Sequence, residues 1–172
     1  MDIPENNLTY IALLRGINVG GHHKVPMTEL RKEMENLGFS KVVTLLNTGN
    51  VIFETQQATD LETKIEAHLQ KVFGFPVPVL LRSFEEFLEV TENNPFENIK
   101  INENIRLYVT FLKNEPKNKL SLPYLSKDKS FRIIEARLKT VFSVLDLSKG
   151  KTVKGMDDLE LIFGKDITTR NW

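Results

Sequence analysis

Residues 8–39 read LTYIALLRGINVGGHHKVPMTELRKEMENLGF: an apolar run, a glycine-rich loop and an amphipathic stretch, in that order. Leu8–Leu14 has the length and the Tyr and Ile content of a strand. Arg15–Val25 is the loop, longer than the ~2–6 residues usual between a strand and a helix. Pro26 then opens a helix, where its missing N–H costs nothing. Met27, Leu30, Met34 and Leu37 recur at helical spacing, and Gly38 supplies a left-handed stop.

Working outward, Lys41–Leu46 and Val51–Thr55 read as strands around Asn47-Thr48-Gly49-Asn50, a strong hairpin signal. Thr59–Glu62 (TDLE) predicts a capping box opening a helix with Leu61, Ile65, Leu69 and Val72 on one stripe, stopped by Gly74. Val77–Leu81 is a fourth strand, so residues 1–82 form a βαββαβ subdomain. Ser83–Glu86 is a second capping box, and residues 83–104 make a connecting helix (Phe84, Phe87, Leu88) and an acidic linker after Asn93-Asn94-Pro95. The order then repeats over 105–172. Ile105–Leu112 is a strand, Lys117–Leu125 a weak helix compromised by Pro123, and Phe131–Ala136 with Thr140–Leu147 a hairpin. Val153, Met156, Leu159 and Phe163 form a helical stripe ended by Gly164, with a last strand from Ile167. The expected fold class is α+β, two tandem ferredoxin-like (βαββαβ) subdomains. YIALL, VVTLL and VPVLL are almost continuously apolar, as strands are when both sheet faces are buried, and helices cover only one face. The second half or a second chain is expected on the other.

The 172 residues contain 41% apolar and 27% charged side chains and no cysteine, which excludes disulfides, thiolate zinc sites and a thiol nucleophile. No apolar run approaches the ~20 residues of a membrane span, and Met1–Asn7 is short and acidic, so a cytoplasmic protein is expected. A net charge of zero hides an asymmetry: residues 83–104 carry six acids and one lysine, residues 105–154 twelve Lys or Arg and four acids. That segregation suggests an anionic partner for the second half, pairing between the two segments, or a solvated lysine-rich surface.

The loop supplies the candidate chemistry. Gly16, Gly20 and Gly21 allow close backbone approach, and Arg15 and Lys24 add positive charge beside a helix N-terminus, the ingredients of an anion site. It is not a P-loop, because His22 and His23 stand where Lys and Ser/Thr belong, and there is no GxGxxG. The alternative is a long turn that needs positive φ at several places. In a βαββαβ sheet the loop and the Asn47–Asn50 hairpin emerge at one end, putting Asn18 on a shared rim with them, although Asn-Thr-Gly-Asn is also ordinary turn chemistry. His22 and His23 lack metal-ligand spacing and read as a solvated loop pair. His68, with no His or Glu three or four residues away, reads as structural. Gly150-Lys151-Thr152 mimics a P-loop end but lacks its first glycine. Arg170-Asn171-Trp172 holds three groups that recognise ligands well, though a lone terminal Trp is commonly an anchor on the core. No cofactor, metal site or catalytic group is identified.

The run YIALLRGINVGGHHKVPMTELRKEMENLGF, the turn NTGNVIF, FGFPVPVLLRS with its following NNPF, and the terminal TTRNW resemble the bacterial proteins grouped as domain of unknown function 1697. The resemblance runs over the whole chain and is most specific in its first 55 residues. It implies a tandem ferredoxin-like fold and no reaction. It also implies ligand contacts at Arg15, Gly16, Asn18, Gly20, Gly21, Lys24, Asn47, Gly49, Asn50, Arg170 and Asn171. Two stretches depart from the family pattern: KGKTVKG at 149–155 replaces a Gly-Arg-Ser-Lys-like stretch, and the further helix common after RNW does not follow Trp172.

Three functional readings stand. The first is binding of a small anionic, phosphate-bearing ligand at the glycine loop, whether or not a reaction follows. The second is nucleic-acid binding in the manner of an RNA-recognition motif, with Arg106, Tyr108 and Thr110 alternating onto one strand face. The third is a protein-interaction or dimerisation module.

Overall fold

The computed structural model describes residues 7–56, 59–116 and 120–172. The chain divides into two compact units, Met1–Glu89 and Val90–Trp172, and among the described residues they hold two antiparallel sheets and four helices.

The first unit runs β1 (Leu8–Leu14), α1 (Met27–Asn36), β2 (Ser40–Leu45), β3 (Asn50–Thr55), α2 (Leu61–Phe73) and β4 (Val79–Ser83), with sheet order β2-β3-β1-β4. That is the βαββαβ order expected of it. Ala12 and Leu14 of β1, Val51 and Phe53 of β3, Leu30 and Met34 of α1, and Ile65 and Leu69 of α2 share one core. Apart from Ala12, each such buried side chain stabilises by about 1.5–3 kcal/mol. On the opposite sheet face Ile11, Leu13, Leu80 and Arg82 are also buried, so β1 and β4 are covered on both faces, as their unbroken apolar runs indicate. Toward β2 that face opens, and Val43 and Leu45 are exposed.

One expectation in this unit is corrected. The fourth strand starts at Val79 rather than Val77, because Pro76 and Pro78 have no N–H to give a ladder. Asp60 is the N-cap residue of α2, left-handed at φ 55° and without a side-chain cap of its own, and Glu62 accepts the Leu81 N–H at 2.9 Å. Glu66 accepts the Val79 N–H at 2.8 Å, and Glu86 that of Ser83 at 2.8 Å. β4 is an edge strand whose alternate N–H groups point away from β1, and three glutamates satisfy them in succession. The Ser83–Glu86 capping box forms: Ser83 Oγ accepts the Glu86 N–H at 3.1 Å and opens α3 (Phe84–Glu92).

The second unit runs β5 (Ile105–Leu112), β6 (Tyr124–Leu125), β7 (Phe131–Arg137), β8 (Thr140–Asp146), α4 (Thr152–Phe163) and β9 (Ile167–Asn171), in sheet order β6-β7-β8-β5-β9. Tyr108, Phe131, Ile133, Leu145 and Leu159 form its core. The strands β7-β8-β5-β9 repeat the order of the first sheet, but the expected Lys117–Leu125 helix is corrected. Lys117–Lys119 lie outside the described residues, and residues 120–125 contain no helix; Tyr124 and Leu125 pair with Ile133 and Arg132. Pro123 would remove an intrahelical donor and clash with the preceding turn, whereas an extended segment finds partners along β7. The second unit is therefore not a full βαββαβ repeat.

Candidate functional site

The glycine loop is tied down at several points. The Leu14 N–H donates to Gly49 O and the Arg15 N–H to Pro78 O, both at 2.9 Å. Asn18 then works as a clamp. Its Oδ1 accepts the Val25 N–H at 2.8 Å, and its Nδ2 donates to Val25 O at 2.9 Å and to Asn47 O at 3.0 Å. The loop tip is a tight turn, with the His22 N–H donating to Val19 O at 3.2 Å across Gly20 (φ 61°) and Gly21 (φ 79°). Two successive positive φ values are the type I′ signature, which glycine meets without steric cost. His23 stacks on Phe75 with ring centroids 4.4 Å apart. The β2–β3 turn presses against the end of β1. A Cβ at Gly49 (φ 76°) would lie 2.6 Å from Ile17 Cδ1 and 2.8 Å from Leu14 Cβ. Loop and hairpin are thus side by side at one end of the sheet, as the strand order predicts.

Between them and the start of α1 is a cleft of about 410 Å³ lined by Asn18, Gly21, Lys24, Pro26, Met27 and Asn47, among others. Pro26 is the N-cap residue and provides no side-chain cap, and the first intrahelical bond is Leu30 N–H to Pro26 O. The Met27, Thr28 and Glu29 amides precede that bond and carry the positive end of the helix dipole. Lys24 is exposed and has no ion-pair partner among the described residues. Glu29 complements the dipole from the first turn, so an anion here depends on Lys24 for charge balance.

The candidate residues therefore separate. Asn18, Gly21, Lys24 and Asn47 line the cleft, and of these the Asn18 amide is already engaged. Gly49 is buried packing against β1. Asn50 donates to Thr48 Oγ1 at 3.0 Å within its own turn. Arg15 is half-buried at the loop base, and Gly16 and Gly20 are exposed with positive φ. Arg170 and Asn171 belong to the other unit. Arg170 donates to Thr168 Oγ1 at 2.8 Å and Thr169 O at 3.0 Å, and burial lowers its pKa from the usual value. Asn171 is an exposed ladder residue opposite Tyr108. The Trp172 ring packs edge-on to Phe96 and Phe142, with centroids 5.4 and 5.8 Å away, and the Trp172 backbone N–H donates to Leu107 O. It is an anchor.

The strand-face argument for RNA recognition does not hold. Only Arg106 of its three residues is exposed, while Tyr108 is 8% exposed in the core and Thr110 is fully buried, bonded to Thr169 Oγ1. An aromatic under α4 cannot stack on a base. His68 finds its partner beyond its own helix: Nε2 lies 2.8 Å from Glu33 Oε2 of α1, and this bond holds the Glu33 carboxyl below its usual pKa. Gly150, the false P-loop glycine, is a packing residue, since a Cβ there would collide with the Ser130 side chain. No group of three His, Asp or Glu among the described residues could hold a metal ion.

A clamped glycine loop beside an edge-protected antiparallel sheet defines an α+β protein with a rim-like cleft in its first unit. The family model described as "Protein of unknown function (DUF1697)" matches residues 8–142, and the chain belongs to that family. Among solved structures, the conserved bacterial protein SP0830 from Streptococcus pneumoniae is similar, with a TM-score of 0.72, 26% identity, and coverage of 96% of this chain and 93% of that one. None of the curated proteins matches the sequence significantly. The family's function is unknown, and no helix among the described residues is long and apolar enough to cross a membrane.

Proposed function

We propose that the protein binds a small phosphate-bearing anion in the cleft between the glycine loop, the β2–β3 turn and the N-terminus of α1. The observation that carries this reading is the cleft itself: about 410 Å³ of space where Lys24 stands beside a helix start without a side-chain cap. An anion at a helix terminus gains ~0.3–1 kcal/mol per exposed contact. That is well short of the ~4.1 kcal/mol needed for millimolar affinity, so phosphate alone binds weakly. The rest of the ligand must contact the Val25, Pro26 and Met27 lining, which favours a phosphorylated metabolite or nucleotide over inorganic phosphate.

This reading keeps the second unit as a ferredoxin-like relative of the first, with residues 1–82 and 105–172 as subdomains and 83–104 as connection. It places the protein in the cytoplasm, where phosphorylated metabolites are retained by their charge. It assigns no reaction. The test is a thermal-shift panel of phosphorylated metabolites, nucleotides and short RNA on the wild type and Lys24→Gln. Stabilisation by a small phosphorylated compound that is lost in Lys24→Gln supports the reading. No stabilisation, or stabilisation unaltered by the substitution, overturns it.

A further inference from the structure

The excess of positive charge in residues 105–154 gathers in part around a second cleft, of about 330 Å³, in the second unit. It lies on the sheet face opposite the core under α4. In register, Arg132 stands opposite both Val144 and Leu125, and Ile105 opposite Asp146, so these side chains share one face. Lys129 and Lys149 reach the same cleft from two turns.

Both turns are built rigidly. Asp128 Oδ1 accepts from Ser126 Oγ at 2.6 Å, Ser130 Oγ at 2.8 Å and the Ser130 N–H at 3.1 Å. In the other turn Asp146 Oδ1 accepts the Ser148 N–H at 3.0 Å and its Oδ2 pairs with Lys149 Nζ at 3.1 Å. The Asp146 N–H donates to Ser130 O at 2.8 Å, and Gly150 packs under Ser130, locking the turns together. Three cations thus meet one carboxylate, and that carboxylate is already engaged. Lys129 and Arg132 have no ion-pair partner among the described residues. Like charges held together on a rigid frame repel one another, and an anion between them relieves the repulsion.

We propose that this cleft is a second anion site, for a small molecule carrying a phosphate or carboxylate on an apolar body. Arg132, Lys129 and Lys149 take the charged group. Ile105, Leu125 and Val144 give the apolar body a floor, which a bare polyanion backbone would not use. A planar guanidinium grips two oxygens of such a group at once.

The test is an amide NMR titration of the full chain with phenyl phosphate, inorganic phosphate, phenol and a single-stranded RNA 12-mer. Wild type, Arg132→Gln and Lys24→Gln are compared; Arg132 is exposed, so its loss leaves the fold intact. Phenyl phosphate is expected to shift the amides of Ser130, Arg132, Val144 and Lys149 and to bind more tightly than phosphate or phenol. The affinity read at those four amides should fall about three- to five-fold in Arg132→Gln, the scale of one exposed charged contact, and should not follow Lys24→Gln, which alters only the first unit's cleft. Shifts absent from those residues, or equal in Arg132→Gln, overturn the proposal. So does RNA binding spread over Lys127, Lys151 and Lys154 while phenyl phosphate leaves the cleft unmoved, which would make this an open polyanion surface.

Discussion

Asn18 and Gly49 carry the geometry of the rim between them. The Asn18 amide imitates a strand neighbour for Val25 and at the same time reaches the hairpin at Asn47. The sequence places Asn18 near the rim but does not reveal that its donors and acceptor are consumed by the protein, because Val25 and Asn47 become its neighbours only after folding. Asn18→Ala removes three hydrogen bonds worth about 0.5–1.5 kcal/mol each, so a loss of roughly 2–3 kcal/mol in urea unfolding is expected. A loss below about 0.5 kcal/mol would mean that the clamp is not formed. Gly49→Ala combines a left-handed conformation, costing about 1–2 kcal/mol, with overpacking of about 1–3 kcal/mol against Ile17 and Leu14. It should destabilise by roughly 2–5 kcal/mol, and a neutral result by the same measurement would show that the hairpin can move away from β1.

At the scale of elements, legibility depended on how far apart in sequence the partners lie. The Ser83–Glu86 box is local, and it forms as read. Glu62 also accepts an edge-strand amide of β4 from 19 residues away, a bond that no local reading shows. The Lys117–Leu125 helix failed for a related reason, since the ladder on β7 is invisible in a local reading. If the glutamates do hold the edge, Glu66→Ala strands the buried Val79 N–H and costs about 1–3 kcal/mol, while Glu66→Gln, which keeps an acceptor, recovers most of it. Equal losses in both variants would argue against that role. The Asp128 turn makes a pH prediction. Hydrogen bonds from the Ser126 and Ser130 hydroxyls and the Ser130 N–H depress its pKa from 3.8 to about 2. A depressed folded-state pKa gives stability that is present above the unfolded value and lost as pH falls through the folded one. Stability attributable to Asp128 is therefore complete above about pH 4 and lost toward pH 2, and Asp128→Asn should flatten this part of the acid-unfolding curve. Parallel curves for the two proteins would contradict it.

For the whole molecule, hydrophobic periodicity and glycine stops were enough to read the first unit's order of elements and most of the second's strands, because those signals report which faces are buried. The resemblance to the family is likewise most specific in the chain's first part, where the loop and hairpin stand, although the family match runs over residues 8–142. Function was less legible. Anion chemistry is written in residue types that turns also use, and only the fold separates Lys24, on the cleft, from Gly49, packed beneath it. The basic cleft of the second unit escaped a linear reading altogether, since Lys129, Arg132 and Lys149 converge through strand register. The most direct measurement is a structure of the protein bound to whichever phosphorylated compound stabilises it most. The account predicts its phosphate at the start of α1, within hydrogen-bonding reach of the Met27 or Thr28 amide and of Lys24 Nζ. A ligand bound elsewhere, with the cleft beside Asn18 and Asn47 empty, would contradict it.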